Sequence, residues 1–201
     1  VASSKFNAVL LFGYPGCGKG TQGAALAGMP NIRHVATGDI FRALDRSSPI
    51  GKEVTSYSDK GLLVPDELTI RVLMQHLECR IAAGQLARDY HLLLLDGVPR
   101  TPSQVELLHP YIDVLKVVHL KMNDQKKLVD RLKGRAAKSN RPDDAKEEVI
   151  LRRIKVYEAE TWPVLECYAS RLIADIEADQ PPLAVLRDIC AALAPVVPTR
   201  I

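Results

Sequence analysis

The sequence lacks long apolar runs, clustered cysteines and any marked excess of charge of one sign. Its purely apolar stretches, such as residues 8–12, 92–95 and 189–194, fall far short of the roughly 20 residues a membrane helix needs. No basic start followed by an apolar segment opens the chain, so a secretory leader is not expected. The 27 basic and 24 acidic residues nearly cancel to +3, which argues against wrapping of nucleic acid or adhesion to an anionic membrane. Cys17, Cys79, Cys167 and Cys190 are far apart and form no CxxC pair. Free thiols in a reducing compartment are expected, and with them a cytoplasmic location, an organelle staying open. The five histidines, at 34, 76, 91, 109 and 119, show no metal-ligand spacing. What remains is a chain of 201 residues, 47% hydrophobic and 25% charged, the composition of one globular domain.

Strand and helix patterns alternate. Residues 8–12 read as a buried strand ended by Gly-Tyr-Pro-Gly, and residues 19–27 as a helix. A weak strand at 34–36 precedes a short helix at 38–46, which Ser47-Ser48-Pro49 breaks, and a polar helix at 51–59. From Pro65 or Asp66 a longer helix carries Leu68, Val72, Leu73, Leu77 and Ile81 on one face. The run 91–96 has the near-continuous apolar character of a central parallel strand, and 117–120 resembles it. Asp124 caps a helix expected to reach Gly134, followed by a polar stretch at 134–144. Asp144 and Glu147 have capping-box spacing, and the helix they open has an expected kink at Pro163. A last strand at 172–176 and helix at 182–193 complete an α/β chain with a parallel sheet covered on both faces.

The first strand–helix junction carries chemistry. Gly13-Tyr14-Pro15-Gly16-Cys17-Gly18-Lys19-Gly20-Thr21 is a phosphate-binding loop in the context such a loop requires. Its glycines let backbone N–H groups converge on one anion, and the helix N-terminus adds partial positive charge. Lys19 can reach β- and γ-phosphates, and Thr21 can face Mg²⁺ or its waters. The strict pattern has Ser or Thr directly after the Lys, whereas Gly20 intervenes here. A ligand-free glycine turn would need neither the Lys nor four glycines. The loop says nucleotide; it does not separate GTPase, ATPase and kinase.

Four further segments follow in order: Thr37-Gly38-Asp39-Ile40-Phe41-Arg42; residues 61–67, Gly-Leu-Leu-Val-Pro-Asp-Glu; Asp96-Gly97-Val98-Pro99-Arg100-Thr101 with Gln104; and Arg131, Arg135, Arg141 with Asp143, Asp144 and Arg152. Together with the loop and Gln22 they resemble the adenylate kinases, to which the Gly-Lys-Gly-Thr spelling belongs. The resemblance implies a P-loop-type five-stranded parallel sheet flanked by helices, an acceptor-binding helical insertion at about 37–66 and a short lid at about 132–142. It implies reversible Mg-dependent transfer of the γ-phosphoryl group of ATP to AMP, giving two ADP.

By that resemblance, ATP lies on Gly16, Cys17, Gly18, Lys19, Gly20 and Thr21, with Arg131 packed on its base and Arg135 at its phosphates. AMP lies against Thr37, Arg42, Val64, Gly97, Arg100, Gln104, Arg141 and Arg152. Lys19, Arg100, Arg135, Arg141 and Arg152 would serve the transferring phosphates. Asp96, with Thr21 through water and Asp39 more weakly, would serve Mg²⁺, which prefers oxygen ligands and keeps several waters. Asp96 could instead cap the Gly97 turn, and Asp144 could cap a helix rather than pair with lid arginines. The chemistry agrees with the resemblance. An anionic acceptor oxygen needs no general base, but two facing polyanions need guanidinium forks to neutralise them.

Base choice and lid follow the same resemblance. Thr37 and Thr101 stand where the related UMP/CMP kinases typically carry Ala and Asn, and Gln104 is placed to bond an adenine edge, or else is an exposed first-turn residue. Val98 stands where the family often has Phe. Residues 136–140, between Arg135 and Arg141, hold no cysteine, so no zinc lid is expected, and the short-lid form is commonly monomeric. The competing readings are a UMP/CMP kinase and a P-loop nucleotide-binding module without transferase activity. The second has no use for Arg42 and Arg100, and the chain has no Asn-Lys-x-Asp guanine motif.

Overall fold

A computed structural model describes residues 5–139 and 146–197. Five parallel strands form one sheet in the order β2-β3-β1-β4-β5: β1 (Phe6–Gly13), β2 (Ile32–Ala36), β3 (Leu92–Asp96), β4 (Ile112–Lys121) and β5 (Ile173–Glu177). Side chains alternate across the sheet, so each strand feeds two cores. Val9, Leu11, Leu92 and Leu94 enter one apolar layer; Ala8, Leu10, Leu93 and Leu95 enter the other. This two-faced burial is why β1 and β3 are unbroken apolar runs. Each fully buried Leu contributes about 1.5–3 kcal/mol by removal from water.

Helices α1 (Lys19–Leu26), α6 (Gln125–Ser139), α7 (Glu147–Val156) and α8 (Pro182–Leu193) accompany α4 (Asp66–Ala82) and α5 (Pro102–Leu108) around the sheet. Helices α2 (Thr37–Ala43) and α3 (Pro49–Ser58) sit in the expected insertion. They have their own small core, Val54 with Val64, Leu68 and Val72, flanked by Ile40, Phe41, Leu44, Ile50 and Tyr57. Ser48 caps α3 by accepting the Gly51 N–H, with Pro49 in the first turn.

Several boundaries differ from the sequence reading. Strand β4 begins five residues early, at Ile112, because its first half is partly exposed and its register on β1 shifts at Ala8/Val9; the slip breaks the two-residue period that marks a strand. Helix α6 does not stop at Gly134 but runs on to Ser139, since one interior glycine costs only about 1 kcal/mol. Arg135 therefore stands on a helix, and residues 132–139 of the stretch read as a lid are helical. Residues 140–142 of that stretch, with Arg141, Asp143 and Asp144, lie outside the described residues. Helix α7 starts at Glu147 with Lys146 in the cap position. Near Pro163 the helix changes type, to a π-helical turn at Tyr157–Thr161 and a 3₁₀ turn at Trp162–Cys167. No described helix is long and apolar enough to cross a membrane.

Candidate active site

The carboxyl ends of β1, β2 and β3 open onto a cavity of about 820 Å³, where open α/β sheets bind their ligands. Its floor is the glycine loop. Gly13 has φ +138, and a Cβ there would meet Leu120 O at 2.6 Å and Cys17 Sγ at 2.7 Å. Only glycine fits between β4 and the loop. Gly18 caps α1 in a left-handed conformation, with no side-chain cap bond and no acid in the first turn. The helix thus offers its first N–H groups and its positive end to an anion without competition.

Gly16, Cys17, Gly18, Lys19, Gly20, Thr21, Arg131 and Arg135 all line this cavity. Lys19 Nζ donates to Gly13 O at 2.6 Å and Tyr14 O at 3.1 Å. Cys17 is 2% exposed, and burial pushes its thiol pKa up, so it is a packing residue rather than a nucleophile. The Tyr14 and Tyr157 rings lie 4.6 Å apart, joining the loop to the π-helical turn after α7. Arg131 Nη1 reaches Met122 Sδ at 3.6 Å.

Asp96 ends β3 and lines the cavity. Burial pushes its carboxyl pKa up, but His34, Lys19 and Arg100 outweigh that and hold it below the usual range. His34 Nε2 stands 3.7 Å from Asp96 Oδ2, an ion-pair separation too long for a hydrogen bond. Gly23 makes room for that ring: a Cβ there would come within 2.4 Å of His34 Nε2. No cage of three or more His, Cys, Asp or Glu exists among the described residues. One ionised carboxylate and the Thr21 hydroxyl, both on the wall of this cavity, are a donor set that fits a Mg²⁺ keeping its waters and using phosphate oxygens. Asp39 lines the cavity too, with Oδ1 on Arg42 Nη2 at 2.5 Å.

A second cavity of about 420 Å³ adjoins the first. Arg42, Val64, Gly97, Arg100 and Gln104 line it. Thr37 does not; it is buried, and its hydroxyl donates to Gly97 O at 3.0 Å. Gly97 has φ +82, and a Cβ would crowd Thr37 Oγ1 and Arg100 Nη2, both at 2.9 Å. Arg100 Nε donates to Gly97 O at 2.8 Å, so the turn aims the guanidinium. Val98, in place of a larger ring, is 2% exposed and packs in the second apolar layer. Gln104 is no exposed first-turn residue: it is 1% exposed.

Among the described residues three arginines line both cavities: Arg42, Arg100 and Arg153. Sequence reasoning singled out Arg152 instead. Arg152 is exposed, lines neither cavity, and donates to Lys60 O at 3.2 Å. Neighbours on a helix point about 100° apart, and Arg153 shares a face with Tyr157, four residues on, which also lines the larger cavity. That four-residue spacing was the signal available in the sequence. His34 and Tyr157 are two further lining residues it passed over.

Comparison with known proteins agrees with this architecture. The family profile described as Adenylate kinase matches residues 11–173. The chain is similar to the adenylate kinase of Cyanothece sp., 40% identical over 183 residues, 86% of this chain and 88% of that one. It is 39% identical over 168 residues to that of Kocuria rhizophila, covering 81% and 85% of the two chains. The adenylate kinase of Exiguobacterium sibiricum is 35% identical over 219 residues, covering 92% of this chain and 98% of its own.

Proposed function

The chain belongs to the adenylate kinase family and is an ATP:AMP phosphotransferase; on that premise we propose how its own residues divide the work. ATP lies in the larger cavity with its phosphates on residues 13–21 and its base beside Arg131. AMP lies in the smaller cavity, its phosphate toward Arg42 and Arg100 and its adenine edge at Gln104. The observation that carries this reading is the wall the two cavities share, which is lined by Arg42, Arg100 and Arg153. ATP and AMP bring about six negative charges to one place at neutral pH, and transfer needs in-line positioning and charge neutralisation rather than a base. Guanidinium groups reachable from both sides supply that neutralisation, each with a planar fork for phosphate oxygens.

Asp96, with Thr21 through water, is the proposed support for Mg²⁺; Asp39, tied to Arg42, is a lesser one. Bound there, the ion would neutralise phosphate charge. The fixed ionisation of Asp96 keeps that support available across neutral pH. Lys19 holds the β- and γ-phosphates of the donor. Arg135, projecting from α6, approaches the transferring group with Arg141. The insertion at 37–66 and the lid at 132–142 close on the acceptor and the phosphates, excluding water so that AMP outcompetes hydrolysis. We place the enzyme in the cytoplasm as a monomer: the described cysteines are all unpaired, which suits a reducing compartment, and the short lid resembles monomeric forms.

The test is a matrix assay of ATP and Mg²⁺ against AMP, CMP, UMP, GMP and no acceptor. Turnover with AMP, and little with the others, is expected. Comparable kcat/KM for CMP or UMP would replace the acceptor assignment, and hydrolysis without acceptor would overturn the division of roles.

A further inference from the structure

The side chain proposed to read the acceptor base is held from behind by a carboxylate that lines neither cavity. Gln104 Oε1 accepts the Arg100 backbone N–H at 2.7 Å. Gln104 Nε2 donates to Asp66 Oδ1 at 2.8 Å. The other oxygen of Asp66 accepts from Thr101 Oγ1 at 2.9 Å, and Thr101 Oγ1 in turn accepts the Gln104 backbone N–H at 3.1 Å. Gln104 lines the smaller cavity and Asp66 does not. A closed network thus joins the start of α4 to the start of α5.

The consequence is an amide that cannot turn over. Reversed, its NH₂ would face the Arg100 N–H and its carbonyl oxygen would face the Asp66 carboxylate. Both contacts would be repulsive, in a place where unpaired polar groups are costly. A primary amide has two N–H donors and two acceptor lone pairs. The network uses one of each and leaves one of each for a ligand. Adenine offers an acceptor at N1 and a donor at its exocyclic amine. Hypoxanthine offers the reverse, a donor at N1 and an acceptor at O6. A freely turning glutamine would serve both bases; a locked one serves a single pattern.

We infer that Asp66 is a specificity-positioning residue, which fixes the orientation of the Gln104 amide and so makes the acceptor site reject a 6-oxopurine monophosphate. The inference rests on the reading of Gln104 as the base-reading residue. A site with a committed hydrogen-bond pattern rejects the wrong partner because its own polar groups go unpaired.

The experiment compares kcat/KM for AMP and for inosine monophosphate, with ATP and Mg²⁺, in the native chain and in Gln104→Ala, Asp66→Ala and Asp66→Asn. Gln104→Ala and Asp66→Ala are each expected to lower the AMP-to-inosine-monophosphate ratio about tenfold or more, with the KM for ATP unchanged. Asp66→Asn keeps the volume and can meet Gln104 with either end of its amide, so an intermediate ratio is expected if Asp66→Ala does not fold. In the protein without nucleotide, the Gln104 side-chain amide resonances should move and lose protection from exchange in Asp66→Asn. A loss of stability alone would not move the ratio. The inference is overturned if Gln104→Ala collapses the ratio while both Asp66 variants keep it within about twofold. An unchanged ratio in Gln104→Ala itself would overturn the underlying reading, and the inference with it.

Discussion

The proposed donor side and the proposed acceptor side of the cleft are built from different materials. The donor side is mostly backbone: one continuous loop, residues 13–21, whose glycines shape a nest at the head of α1. The acceptor side is mostly side chains from separate segments. Arg42 comes from α2, Arg100 and Gln104 from the turn and helix after β3, and Asp66, behind them, from α4. A backbone site is sensitive to a single added methyl group. A side-chain site tolerates small changes in shape but depends on which groups converge.

The sharpest way to test this contrast is at the wall between the two sides. Arg153→Ala should lower kcat about 10²–10³-fold, the scale for removing one preorganised charge stabiliser, while its neighbour Arg152→Ala should stay within about twofold. Steady-state kinetics at saturating ATP and AMP decides it; equal losses would break the distinction between the two residues. Next in size is a pair of glycines. Gly13→Ala sets a Cβ against the Leu120 carbonyl at 2.6 Å with φ +138, and should cost about 1–3 kcal/mol in urea unfolding. Gly38→Ala meets only the Arg42 guanidinium, at 3.1 Å, within helix α2, and should change stability by less than about 1 kcal/mol. If the two cost the same, the backbone-versus-side-chain contrast fails.

The smallest expected effect lies at Asp96, on the wall of the larger cavity. Its carboxyl is held below the ordinary range by His34, Lys19 and Arg100 despite burial. The unfolded chain therefore takes up a proton there before the folded one does. The stabilisation is full above about pH 4 and is lost as the pH falls below that value. In unfolding experiments, the stability gap between the native chain and Asp96→Asn should narrow as the pH drops from about 5 to 3. A gap independent of pH would show that the neighbouring cations do not act on this group.

The same contrast explains what could be read in advance. The glycine loop between β1 and α1 was legible because local chemistry defines it: glycines, one Lys, a strand before and a helix after. Helix α8 was legible to the residue at Pro182–Leu193, since Pro marks its start and an apolar face its length. Arg153 was missed because choosing between adjacent arginines requires the helix phase relative to a cleft. Asp66 was read only as a helix start, although its carboxylate bonds both Thr101 and Gln104. Those partners lie more than thirty positions away in sequence, and no local pattern announces them.

Local sequence set the alternation of buried strands and helices, the glycine loop at the head of α1 and the supply of arginines, because hydrophobic period and glycine content act over a few residues. The tertiary structure alone decided which arginines stand on the wall between the two cavities, that β4 lies beside β1 with a slipped register, and that a carboxylate from one helix holds an amide at the start of another. Those outcomes depend on how distant segments pack, and packing is set by the whole core rather than by any stretch of neighbours.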